Sequence, residues 1–106
     1  MSLIASKLVH RITIERANQT ADRYGAMIET WAPLASVRAE IVEERHQREN
    51  EDEREIDASN IVLRARRLPG LSLSDRVTLA GQTFAIVSFA PTEDRRGVEI
   101  TCEVRA

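Results

Sequence analysis

Val98-Glu99-Ile100-Thr101-Cys102-Glu103-Val104 alternates apolar and polar residues without a break. A period of two marks a strand with one buried face and one wet face. The same period runs upstream. Thr83 to Ala90 sets Phe84, Ile86 and Ser88 against Ala85, Val87 and Phe89. Asp75 to Ala80 turns Val77 and Leu79 to one side. Gly81-Gln82 lies between these runs and is expected as a two-residue hairpin turn. Pro91 to Gly97 is polar and is expected as a loop.

The N-terminal half repeats the pattern. Leu8, His10, Ile12 and Ile14 share one face of a first strand, and Arg11, Thr13 and Glu15 share the other. Asn18 to Gly25 is a polar stretch ending in Asp22-Arg23-Tyr24-Gly25, where the glycine suits a turn. A second strand is expected over about Ala26 to Ala32, ended by Pro33, which cannot donate to a ladder. Leu34 to Val42 reads either as a strand or as the start of a helix. The favoured reading is a strand that runs into an irregular or helical charged segment. Asn60 to Arg66 is a further strand, and Leu68-Pro69-Gly70-Leu71 is a turn. About six to seven short strands imply an all-β fold, a small β-barrel or sandwich, with a long charged loop inserted between strands. At 106 residues the chain is expected to form a single β domain over 1–106.

The inserted segment is 43–57. It holds eight acids (Glu43, Glu44, Glu49, Glu51, Asp52, Glu53, Glu55, Asp57) and three arginines, a balance of −5 within a chain of net charge −2. The rest of the chain is therefore mildly basic. No apolar residue falls in 43–55. A segment with no stripe to bury is expected to be flexible in the free chain and to order on assembly.

Little in the sequence supports catalysis. Cys102 is the only cysteine and sits on the apolar face of its strand, where it acts as a small hydrophobe. His10 is expected on the apolar face of the first strand and His46 in solvent, with no third ligand spaced to join either. No metal, cofactor or catalytic residue is therefore assigned. Asp22 and Asp75 each precede an arginine near a turn, and backbone capping accounts for both. No apolar run is long enough to span a membrane, and no signal peptide is visible. Arg64, Arg66, Arg67, Arg95 and Arg96 could form a basic patch. With four aromatic residues in the chain, the stacking platform of an oligonucleotide-binding barrel is missing.

The order of features resembles the phage head–tail joining family: head–tail adaptors, head-completion proteins and stoppers. The resemblance rests on the opening strand His10 to Arg16, then Asp22 to Gly25, Thr30-Trp31, Val37-Arg38-Ala39 and the charged insert. Ile61 to Arg64, the hairpin carrying Asp75-Arg76-Val77 and Gly81 to Ile86, and Cys102-Glu103 follow in order. It implies a virion neck protein forming a homo-oligomeric ring between the portal-side connector and the tail. Such a ring closes the head and retains packaged double-stranded DNA, which passes without sequence-specific binding. The eight acids of the insert would face the channel, and Arg38, Arg64 and Arg66 would contact a neighbour. Assembly in the host cytoplasm and residence in the virion neck are expected. A tail terminator and a small nucleic-acid-binding barrel are the alternative functions.

Overall fold

The alternating runs pair edge to edge and turn their apolar faces toward one interior. The structure, a computed structural model, describes residues 4–51 and 54–104, with the backbone alone over 45–51 and 54–59. A short 3-10 turn, Ala5–Lys7, precedes six strands: β1 His10–Ala21, β2 Met27–Glu51, β3 Arg54–Arg66, β4 Arg76–Leu79, β5 Gln82–Pro91 and β6 Gly97–Val104. All pairings are antiparallel, and the order β1-β2-β3-β6-β5-β4 closes on itself as a barrel. Closure leaves no continuous sheet edge around the core.

The core is what the periodicity expects. Ile12, Ile14, Ala39, Leu63, Ala65, Val77, Ile100 and Cys102 are fully enclosed, with Ile61, Phe84, Ile86 and Val98 beside them. His10 is a correction. It is exposed, because it is the first residue of β1 at the barrel's rim, where its inward position has left the packed interior.

Three register shifts bend the sheet enough to close it: Ile14/Glu15 against β2, Ile41/Glu43 against β3, and Ile86/Ser88 against β6. Bulges raise local twist and bend strands at barrel rims. The first explains why Pro33 does not end β2. The ladder passes from Ile14–Ala35 to Glu15–Pro33, so the proline sits in an irregularity rather than in a regular rung.

Two ribbons leave the barrel. β1 and β2 continue to Ala21–Met27, and Asp22 Oδ1 ties the turn by accepting from the Tyr24 and Ala26 N–H groups, both at 2.8 Å. β2 and β3 continue from Arg45–Asn60 to Glu51–Arg54, so the backbone of the charged segment extends the ladder. The β2 side of the first ribbon falls in the strand expected over Ala26 to Ala32, whereas its β1 side, from Asn18, and the charged segment of the second were expected as turn or irregular chain. Outside the barrel neither face needs an apolar row, so hydrogen bonding persists where alternation stops. The projections give a longest extent of 49 Å and a radius of gyration of 15.9 Å. A compact chain of this length has a radius of about 13 Å.

The β4–β5 turn is Ala80-Gly81, flanked by the Leu79–Gln82 pair, one residue earlier than the expected Gly81-Gln82. Both turn residues have positive φ, 51° and 82°. That is the I′ pattern, in which asparagine or glycine is preferred at the first place. Alanine there bears a left-handed strain of about 1 kcal/mol. Ala80→Asn is therefore expected to raise stability by about 0.5–1 kcal/mol, seen as a higher urea midpoint. An unchanged or lower midpoint would contradict the turn assignment.

Candidate assembly surface

The barrel closes through its shortest seam, where β1 meets β4 over Thr13–Thr78, Ile14–Val77 and Glu15–Arg76. Two neighbouring dipeptides, Glu15-Arg16 and Asp75-Arg76, clasp it with exchanged charges. Arg16 donates from Nε to Asp75 Oδ1 and from Nη2 to Oδ2, both at 2.9 Å. Its Nη2 also reaches the Gly70 carbonyl. Asp75 is buried and accepts the Ser72 N–H as well. Arg76 donates from Nε to Glu15 Oε1 at 2.8 Å and stacks over Trp31, 4.1 Å from the ring centroid. The bond from Arg16 holds the Asp75 carboxyl below the usual carboxylate range against the opposing effect of burial. Asp75 does cap a backbone amide, as the sequence suggests. Its partner 59 residues away was not legible.

A second cluster lies across β2, β3 and β6. Arg64 is buried and donates from Nη1 to Glu40 at 3.1 Å and from Nη2 to Glu99 at 3.0 Å. This corrects its expected place among exposed contact residues. Flanking strands supply carboxylates on both sides, so its charge is consumed within the chain. Its Nε has no hydrogen-bond partner among the described residues.

Arg38 and Arg66 are exposed. The Ala39–Ala65 pair sets them side by side on β2 and β3, and Arg11, also exposed, lies directly opposite Arg38 on β1. Three arginines thus stand in one row across adjacent strands, at a strand spacing of about 4.8 Å. None has an ion pair among the described residues. The carboxylates two residues along the same face from Arg38 on β2 and opposite Arg64 on β6, Glu40 and Glu99, are committed to Arg64. Like charges directly opposite on paired strands weaken a sheet. Arg38 and Arg66 also line a cleft of about 320 Å³ together with Leu8 and Val37. Sequence reading missed Arg11, because the register that brings it to Arg38 is not visible in either strand alone.

The acids of the insert are set out along the second ribbon. Glu43 and Glu44 are exposed at its root. Glu49, Glu51, Glu55 and Asp57 occupy positions in its ladder, and Asp52 and Glu53 lie outside the described residues. From Arg38 to Glu51 the contour of β2 is about 40 Å at about 3.3 Å per residue, with the bulge at Ile41/Glu43 on the way.

No group of three metal-binding side chains is found among the described residues. Cys102 is enclosed, and burial pushes its thiol up to about 12. Against a free thiol near pH 9 this suppresses the thiolate about a thousandfold. Native protein at pH 8 is expected to react with a thiol reagent at least about that much more slowly than chain unfolded in urea. Rapid native labelling would show that Cys102 is accessible.

The described residues thus form a six-stranded barrel with two projecting ribbons and a row of arginines that has no ion pair among them. A family model described as phage head completion protein matches residues 3–105, and the chain belongs to that family. Membership gives it a structural head–tail role in a phage-type virion. Three solved structures share the fold. A chain of the virion of a native gene transfer agent particle superposes with a TM-score of 0.66 at 17% identity, covering 92% of this chain and 93% of that one. Protein SF1141 from Shigella flexneri 2a gives 0.69 at 21%, covering 94% and 95%. Protein xkdH of the phage-like element PBSX from Bacillus subtilis gives 0.60 at 14%, covering 91% and 92%. None of the curated proteins compared matches the chain.

Proposed function

We propose that this protein forms a homo-oligomeric ring between the portal-side connector and the tail, closing the head and retaining packaged DNA. Family membership supports the location. The observation that carries the channel role is the β2–β3 ribbon, which takes a segment of net charge −5 away from the barrel wall. Acidic side chains repel phosphate, so a ring of such ribbons lets DNA slide past without gripping it through counterion release. The eight acids named above line that passage, and Arg38 and Arg66 contact a neighbour. The barrel is the scaffold, and no chemistry is assigned to it.

Electron microscopy of particles made without this gene, and with the gene restored, tests the reading. Tail-less heads and free tails, joined again on restoration, are expected. Aberrant tails on filled, closed heads would assign a tail terminator instead. Normally joined particles would overturn the reading.

A further inference from the structure

The row formed by Arg11, Arg38 and Arg66 has no ion pair among the described residues. The nearest carboxylates on that face are held by Arg64. The acidic ribbon of the same chain leads away from the row, because β2 passes through Arg38 and then runs on as a continuous strand to Glu51. Its distal acids are therefore set at a distance by the ladder itself. A second chain carries the same ribbon free of that constraint.

We propose that the arginine row is the receptor for the acidic ribbon of a second copy of this chain. The joint deepens the ring reading, on which it rests, by naming its two surfaces. It is heterologous, so repeated use generates a ring or an open filament rather than a closed dimer. The charges complement one another: three arginines with no ion pair among the described residues would meet a segment of net charge −5. A surplus of acid remains after docking. With no apolar residue over 43–55, a ribbon running around the ring can lay one face on its neighbour and turn the other to the channel. The unpartnered Nε of Arg64 adds a buried donor to the cluster beside the row. A DNA duplex is a poorer occupant. It would approach a chain of net charge −2 whose most acidic segment projects from the same sheet.

Sedimentation velocity of the full-length protein, as a function of concentration and salt, tests the joint. The row variant is Arg38→Glu with Arg66→Glu. The ribbon variant is Glu49→Lys, Glu51→Lys, Glu55→Lys and Asp57→Lys. Arg38→Gln with Arg66→Gln serves if the row variant melts early. Wild type is expected to associate at low salt and to dissociate as salt rises. Each reversed variant alone is expected to stay monomeric, and an equimolar mixture of the two to regain the wild-type species. Wild-type association that neither variant disturbs overturns the joint and leaves the ring standing. Wild type that stays monomeric at every concentration also overturns it, and the particle micrographs then judge the ring separately. Duplex binding abolished by the row variant, with self-association intact, reassigns the row to nucleic acid.

Discussion

Asp75→Ala is expected to destabilise the fold by about 2–3 kcal/mol. Its carboxylate is buried and accepts two bonds from Arg16 and one from the Ser72 amide. Removing one member of a buried pair costs about 3–5 kcal/mol, and charge-assisted hydrogen bonds contribute about 1.5–3 kcal/mol each. Arg16 is 41% exposed and stays hydrated when its partner goes, which sets the lower figure. A melting temperature lower by about 10–20 °C should result. Amide exchange should accelerate first in β4, because only three residue pairs bind it to β1. The pH dependence has a fixed sign. The folded carboxyl titrates below its unfolded counterpart, so its stabilisation is complete above about pH 4. It is lost as pH falls further, through the depressed folded value. Asp75→Asn should flatten that acid limb. A variant as stable as wild type, with the same acid limb, would show that the clasp does not hold the seam.

Ile100→Ala is expected to cost about 2–5 kcal/mol, the range for emptying a packed core position. Ile100 is fully enclosed in β6, opposite Leu63 on β3 and Phe89 on β5. The buried side chains among the described residues form one packed cluster, of which Ile100 is a member. The ribbon provides the contrast. Neutralising Glu49, Glu51, Glu55 and Asp57 to Gln or Asn should change stability by no more than about 0.5 kcal/mol each. Urea denaturation of both variants separates scaffold from arm. Equal losses in the two would mean that the acidic ribbon belongs to the cooperative core.

What was legible follows from what hydrophobic periodicity reports. Alternation records burial on one face, so Ile12 and Ile14, Ile61 and Leu63, Phe84 and Ile86, and Ile100 and Cys102 announced their strands and their inward side. It does not record hydrogen bonding. The β1–β2 ribbon beyond Arg16 and the β2–β3 ribbon beyond Glu44 have no buried face to encode. Of these strands only the run Ala26 to Ala32 was visible; the extension of β1 beyond Arg16 was not, and the charged segment read as irregular or helical chain.

The candidate surface was half legible for a related reason. Arg38 and Arg66 stand out as charges on an outward face. Their alignment with Arg11, and the capture of Arg64 by Glu40 and Glu99, depend on registers between strands far apart in sequence. The seam left one local trace, the dipeptides Glu15-Arg16 and Asp75-Arg76. Their reversed order gives reciprocal ion pairs only once β1 and β4 are known to meet. Ala80 shows the limit of turn chemistry, since the glycine marked the hairpin and the residue before it carried the other positive φ.

The proposed function puts this barrel at the head–tail junction with its acidic ribbons turned to the channel. Cryo-electron microscopy of the neck of joined particles, at a resolution that traces strands, tests it most directly. A ring of six-stranded barrels between connector and tail, with β2–β3 ribbons bordering the central passage, is expected. A neck without this barrel, or barrels whose β2–β3 ribbons lie on the outer surface away from the passage, would contradict it.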